Sequence, residues 1–102
     1  MLELRPTCEC CNCPLPPDSE QAWICSYECT FCQHCVEHIL QNVCPNCGGG
    51  FTARPIRPKQ AYRPGVSLLH QPASNKAVHS RYSPEDMQTF SQSLKAIRPS
   101  QR

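Results

Sequence analysis

Ten of the 102 residues are cysteine, and their spacing points to one kind of chemistry. Residues 25–47, CSYECTFCQHCVEHILQNVCPNC, hold three close pairs: Cys25/Cys29, Cys32/Cys35 and Cys44/Cys47. Two thiolates separated by two or three residues converge on a single ion from one tight turn. Zinc takes four such soft ligands in a tetrahedron, so two turns complete a site. Three pairs need a fourth, which CECCNC supplies through Cys8, Cys10, Cys11 and Cys13. Two registers leave a two-residue gap there, Cys8 with Cys11 or Cys10 with Cys13. The expectation is two structural Zn2+ ions per chain. Closed four-cysteine sites leave no position for water or substrate, so the chemistry predicted is structural and not catalytic. His34 and His38 are the remaining metal-ligand types nearby, and both read as surface or supporting groups. Nothing else in the chain resembles an acid–base pair.

The elements that must position these thiols are short. AWIC at 22–25 is apolar and β-prone, and CTF returns as the second strand of a hairpin whose turn carries Cys25 and Cys29. Beyond Cys32, QHCVEHILQNV has helical spacing, with Cys35 or Val36, Ile39, Leu40 and Val43 on one face. That helix should stop near Asn42, before the turn chemistry of CPNCGGG. Phe51 is expected to close an apolar cluster with Trp23, Phe31 and Ile39. Residues 1–7 alternate apolar and polar, which suits a short strand, and PLPPDSEQ reads as a loop.

From Arg54 the character changes. RPIRPKQAYRPG sets prolines among four basic residues, an extended arm without periodicity, and 67–82 is irregular. In SPEDMQTFSQSLKAIRP, Ser83 suits an N-cap, Pro84 the first helical position, and Glu85 and Asp86 the helix dipole. Met87, Phe90, Leu94 and Ile97 form one apolar stripe that Pro99 ends. The predicted organisation is a two-zinc module at 1–53, a basic linker at 54–82, an amphipathic helix at 83–98 and a tail at 99–102.

Size and compartment agree with a metal scaffold. A core this small needs a staple. An even cysteine count also fits a secreted disulfide framework, but MLELRPT lacks the apolar stretch of an export signal. A reducing cytoplasm is the expected location, where clustered cysteines bind metal, and no apolar run predicts a membrane span. Charge is divided: residues 1–50 carry six acids and one base, −5, while residues 51–102 carry nine bases and two acids, +7. The basic half could seek the acidic module or an acidic partner.

The cysteine spacing resembles the RING-finger consensus, with Cys29 where that family usually has histidine. TFCQHCVEHIL and CPNC are similar to its second knuckle, helix and final knuckle. The resemblance implies a treble-clef-like cross-brace in which Cys8, Cys11, Cys32 and Cys35 hold one zinc and Cys25, Cys29, Cys44 and Cys47 the other. Cys10 and Cys13 are then alternative ligands. RING ligases carry an apolar residue in the first knuckle and often a basic one after the last cysteine. Here Glu9 and Cys10 occupy the first position and Gly48 the second, so ubiquitin-ligase-like activity is not expected. MLELRPTCECC, LPPDS, ICSYECTFC and CPNCGGGF further resemble a small bacterial Cys-rich family, domain of unknown function 1272. That resemblance covers residues 1 to about 58, favours Cys8 with Cys11, and implies a short bacterial protein without an assigned activity.

The fold expected is therefore a small α+β, zinc-stabilised cross-brace with a β-hairpin, one short helix and a C-terminal amphipathic helix. The function expected is a non-catalytic protein–protein adaptor, with Trp23, Ile24, Ile39 and Leu40 as its contact surface. Alternatives are nucleic-acid binding through the basic arm at 54–81, or a thiol and zinc redox sensor using Cys10 and Cys13.

Overall fold

A computed structural model describes residues 1–102. Its centre is the predicted hairpin. β1 (Ala22–Ile24) runs antiparallel to β2 (Thr30–Cys32), with Trp23 opposite Phe31. A third strand, β3 (Thr52–Ala53), pairs with the other edge of β1, so the sheet order is β2-β1-β3. The chain returns to this sheet because Phe51, next to β3, packs edge-on against Phe31 at 5.5 Å between ring centres. Trp23 and Ile39 pack against the same cluster, as their apolar character predicts.

The helix after Cys32 starts as α1 (Gln33–Cys35) and widens into a π-helical segment, Val36–Leu40. Cys32 caps it: its Sγ accepts the Cys35 amide at 3.5 Å, so a candidate metal ligand is also the helix N-cap. Gln41 and Asn42 then adopt left-handed backbone angles, φ 49° and 61°, and end the helix where the sequence predicts. Val36, Leu40 and Val43 are buried, whereas Ile39 is half-buried. Leu40, expected on a contact surface, is fully enclosed and serves the core instead.

Residues 1–7 do not form the expected strand. Pro6 has no amide to donate, and the only β pairing of the segment is an isolated bridge, Thr7 with Pro14. Side chains from beyond the cysteines hold it in place. The buried Arg54 guanidinium donates to the carbonyls of Arg5, Leu15 and Pro16 at 2.8, 3.3 and 3.1 Å. Arg57 donates to the carbonyls of Leu2 and Gln71. Two bases of the expected free arm are thus committed to the fold.

α2 spans Pro84–Gln92 and begins as predicted, with Ser83 and Asp86 forming a capping box and Pro84 in the first turn. It ends earlier than the expected residue 98. Ser91 and Ser93 hydroxyls donate back to the carbonyls of Gln88 and Phe90, competing with continuation of the helix. The apolar stripe therefore divides. Met87 is buried in the main core, Phe90 and Ile97 are exposed, and Leu94 lies beyond the helix. There Leu94 meets the final knuckle: a Cβ on Gly48, which has φ +80°, would stand 3.5 Å from Leu94 Cδ1. Arg102 closes the same corner by donating to the carbonyls of Asn42 and Gly48. No helix is long and apolar enough to cross a membrane.

Candidate metal centre

All ten cysteines are free thiols, and their sulphurs gather at two points. Cys8, Cys11, Cys13 and Cys32 have Sγ atoms within 4.8 Å of one another, and so do Cys25, Cys44 and Cys47. The first group joins the N-terminal loop to the start of α1. The second joins the hairpin turn to the CPNC knuckle. Along the chain the two groups interleave, which is the cross-brace order.

Local backbone chemistry explains each half-site. In residues 6–15 the Cys8 amide donates to the Cys13 carbonyl at 3.0 Å, and the Leu15 amide to the Pro6 carbonyl at 2.7 Å. This narrow loop sets Cys13 across from Cys8, while the turn places Cys11 on the same side. Asn12 (φ 62°), Glu28 (φ 68°) and Gly48 supply the left-handed residue that each knuckle turn requires. Backbone amides then point at the sulphurs. Cys8 Sγ accepts from Cys10 and Cys11, Cys25 Sγ from Tyr27, and Cys47 Sγ from Gly49, all at 3.3 to 3.5 Å. With Cys32, each group has two sulphurs held by amide donors, an arrangement that favours thiolate over thiol.

The geometry fits a tetrahedral ion. Metal–sulphur bonds of about 2.3 Å imply sulphur–sulphur edges of about 3.8 Å, and Cys11 and Cys32 stand 3.7 Å apart. The donor set is entirely soft thiol, the set that selects zinc-like ions over hard cations. Burial, with neighbouring thiols adding to it and backbone amides opposing it, pushes the Cys8 and Cys25 thiols up to about 11. At the second group the neighbouring Cys44 thiol pulls Cys29 down to about 5, while Cys29 and burial push Cys44 up. A bound cation would remove this competition, because all its sulphur ligands deprotonate.

Of the eight ligands that the RING resemblance implies, the structure brings Cys8, Cys11 and Cys32 together, and Cys25, Cys44 and Cys47. Cys29 is buried next to the second group but outside its tight set, its carbonyl accepting the Cys25 amide at 3.2 Å. Cys35 is buried beside Cys8 and Cys32 but outside the tight set, where Cys13 stands in its place. Cys10 packs half-buried against the core. His34 and His38 pair with each other on the exposed side of the helix, ring centres 4.6 Å apart, and join neither group.

One residue at the centre of this arrangement is a link that the cysteine spacing does not reveal. Glu9 is buried, and Oε2 accepts the Thr30 amide at 2.6 Å and Arg5 Nη1 at 2.9 Å. The other carboxylate oxygen accepts from Asn46 of the CPNC knuckle at 3.4 Å. Glu9 therefore ties the first knuckle to β2 and to the second metal group. Burial pushes its carboxyl up, while the Thr30 amide and Arg5 work against that shift. The signal in the sequence was an acid between two cysteines where the RING pattern has an apolar residue.

Comparison with known proteins places these features in a family. A family model described as "Protein of unknown function (DUF1272)" matches residues 1–57, the part containing every cysteine. Over 58 residues the chain is 60% identical to an uncharacterized protein of Rhizobium meliloti (strain 1021), which covers 57% of this chain and 69% of that protein. No solved structure matches the chain.

Proposed function

We propose a non-catalytic role for this chain, which belongs to the family described as protein of unknown function (DUF1272): a module held by two zinc ions that binds another protein. The observation that carries this reading is the pair of interleaved, all-thiol groups. Each ion would tie segments distant in sequence, so metal binding becomes folding free energy. Four thiolates per ion would leave no coordination site for chemistry. The reduced thiols such sites need accord with a bacterial cytoplasm.

A surface for the partner lies between the sheet and the helix. Trp23, Val36 and Phe51 floor a shallow cavity of about 350 Å³, and Gln33, Glu37 and Gln41 form its rim. Glu37 is the charged group there, and the surrounding half of the chain is acidic. The chemistry suits a partner segment with an apolar side chain followed by lysine or arginine. Co-purification under reducing conditions with wild type and with Glu37→Arg/Gln41→Arg tests this. The partner should be lost from the variant while metal content stays unchanged. The same partner retained in equal amount would remove this face from the account.

A further inference from the structure

Where one tetrahedral ion needs four sulphurs, the first group has more within reach. Cys8, Cys11 and Cys32 form its constant part, joined by Cys13 in the set spanning 4.8 Å. Cys13 arrives there because the loop at 6–15 pairs it with Cys8. Cys35 arrives from the opposite direction, on the first turn of α1. Its amide is fastened to Cys32 Sγ, and the residue is 1% exposed. It sits in the same buried cluster as Cys8 and Cys32, just outside the tight set. Neither residue can withdraw from the centre without opening the loop or the helix start. The second group has no such surplus, since Cys25, Cys29, Cys44 and Cys47 are the only thiols in its neighbourhood.

We propose that Cys13 and Cys35 share the fourth ligand position of the first centre, so that one bound ion alternates between two complete thiolate sets. This rests on the reading of that centre as a zinc site. In the exchange the entering sulphur gives up its proton and forms a metal–sulphur bond. The other metal–sulphur bond breaks, and the departing sulphur takes up a proton. The charge, the oxidation states and the number of ligands are the same before and after. Zinc tolerates the five-coordinate arrangement through which the exchange passes, because it has no geometric preference from its d electrons. The consequence is a division of labour. The first centre exchanges its ion readily with an outside thiol or chelator, because a further thiolate can take the fourth position as the spare cysteine does. The second centre holds its ion.

The test uses the full chain loaded with zinc, and separately with cadmium-113, in Cys13→Ser, Cys35→Ser, Cys35→Ala and the double variant Cys13→Ser/Cys35→Ser. Native mass spectrometry should find two ions in every single variant and one in the double variant, the remaining ion reporting a folded second centre. Cadmium resonances of the single variants should stay in the all-sulphur range, and their first-centre ion should pass to a chelator more slowly than in wild type. Loss of an ion from Cys13→Ser, or from both Cys35 variants, overturns the proposal, whether or not the second ion goes too. A double variant that keeps two all-sulphur ions overturns it as well, because Cys10 would then be the fourth ligand. Wild type carrying fewer than two ions contradicts the zinc reading itself, a result distinct from these.

Discussion

The two parts of this chain are held by different forces. In residues 1–57 the strands are two or three residues long, and six of the twelve members this part gives to the buried cluster are cysteines. Such a core offers little apolar area of its own, and under the proposed zinc reading the bound ions bring its segments together. Beyond residue 57 there are no cysteines. That part is fastened by one buried methionine, by the Ser74 and Ser80 amides donating to the Leu4 and Glu9 carbonyls, by Arg57 and Arg102 donating to carbonyls across the divide, and by Leu94 over Gly48. The comparison teaches that, if the thiol groups hold zinc as proposed, the chain has a metal-dependent centre and an attachment that follows it. Disturbing the thiols should cost the whole fold, and disturbing the attachment should cost only a fraction.

Metal removal separates the two regions most strongly. A chelator under reducing conditions should unfold residues 1–57, seen in the fluorescence of the single tryptophan, Trp23, with about 10 kcal/mol or more of folding free energy lost per site. Acid should act in the same direction. Binding must displace protons from thiols that burial pushes up to about 11 at Cys8 and Cys25. Protons therefore compete better as pH falls, and the ions are lost on acidification and not on raising the pH. Retention of the native fluorescence after complete metal removal would erase the distinction.

Smaller effects sharpen it. Met87 is the one α2 side chain in the main core, so Met87→Ala should destabilise by about 2–5 kcal/mol in denaturant titration. It should leave the metal count unchanged. Glu9→Ala strips the Thr30 amide of its carboxylate and breaks the link to Asn46. A loss of about 1–3 kcal/mol is expected, with both ions more easily removed, since Glu9 touches both knuckles. Ser83→Ala removes the cap of a peripheral helix and should cost about 1 kcal/mol. Amide exchange should then rise in α2 and remain as in wild type around the cysteines.

Sequence reasoning reached the features that repeat at short range. The hairpin, the helix after Cys32 and the cap at Ser83 each follow from residues within one element or one turn. What escaped it acts across the chain. Arg54 looks like one base of a solvated arm until the fold sets its guanidinium against carbonyls 38 to 49 residues away. Glu9 gave a local signal, yet its partners Thr30 and Asn46 are 21 and 37 residues distant. The placement of Cys13 beside Cys8 depends on loop pairing, which equal spacing in CECCNC does not reveal. The early end of α2 lies in two serine hydroxyls that the apolar stripe concealed.

The central claim is that two interleaved thiol groups, each around one zinc ion, hold the module. The most direct test is native mass spectrometry of the full chain purified under reducing conditions without added metal chelator. The account predicts two zinc ions per chain with all ten cysteines reduced. A single ion, or a metal-free folded chain closed by disulfides, would contradict it.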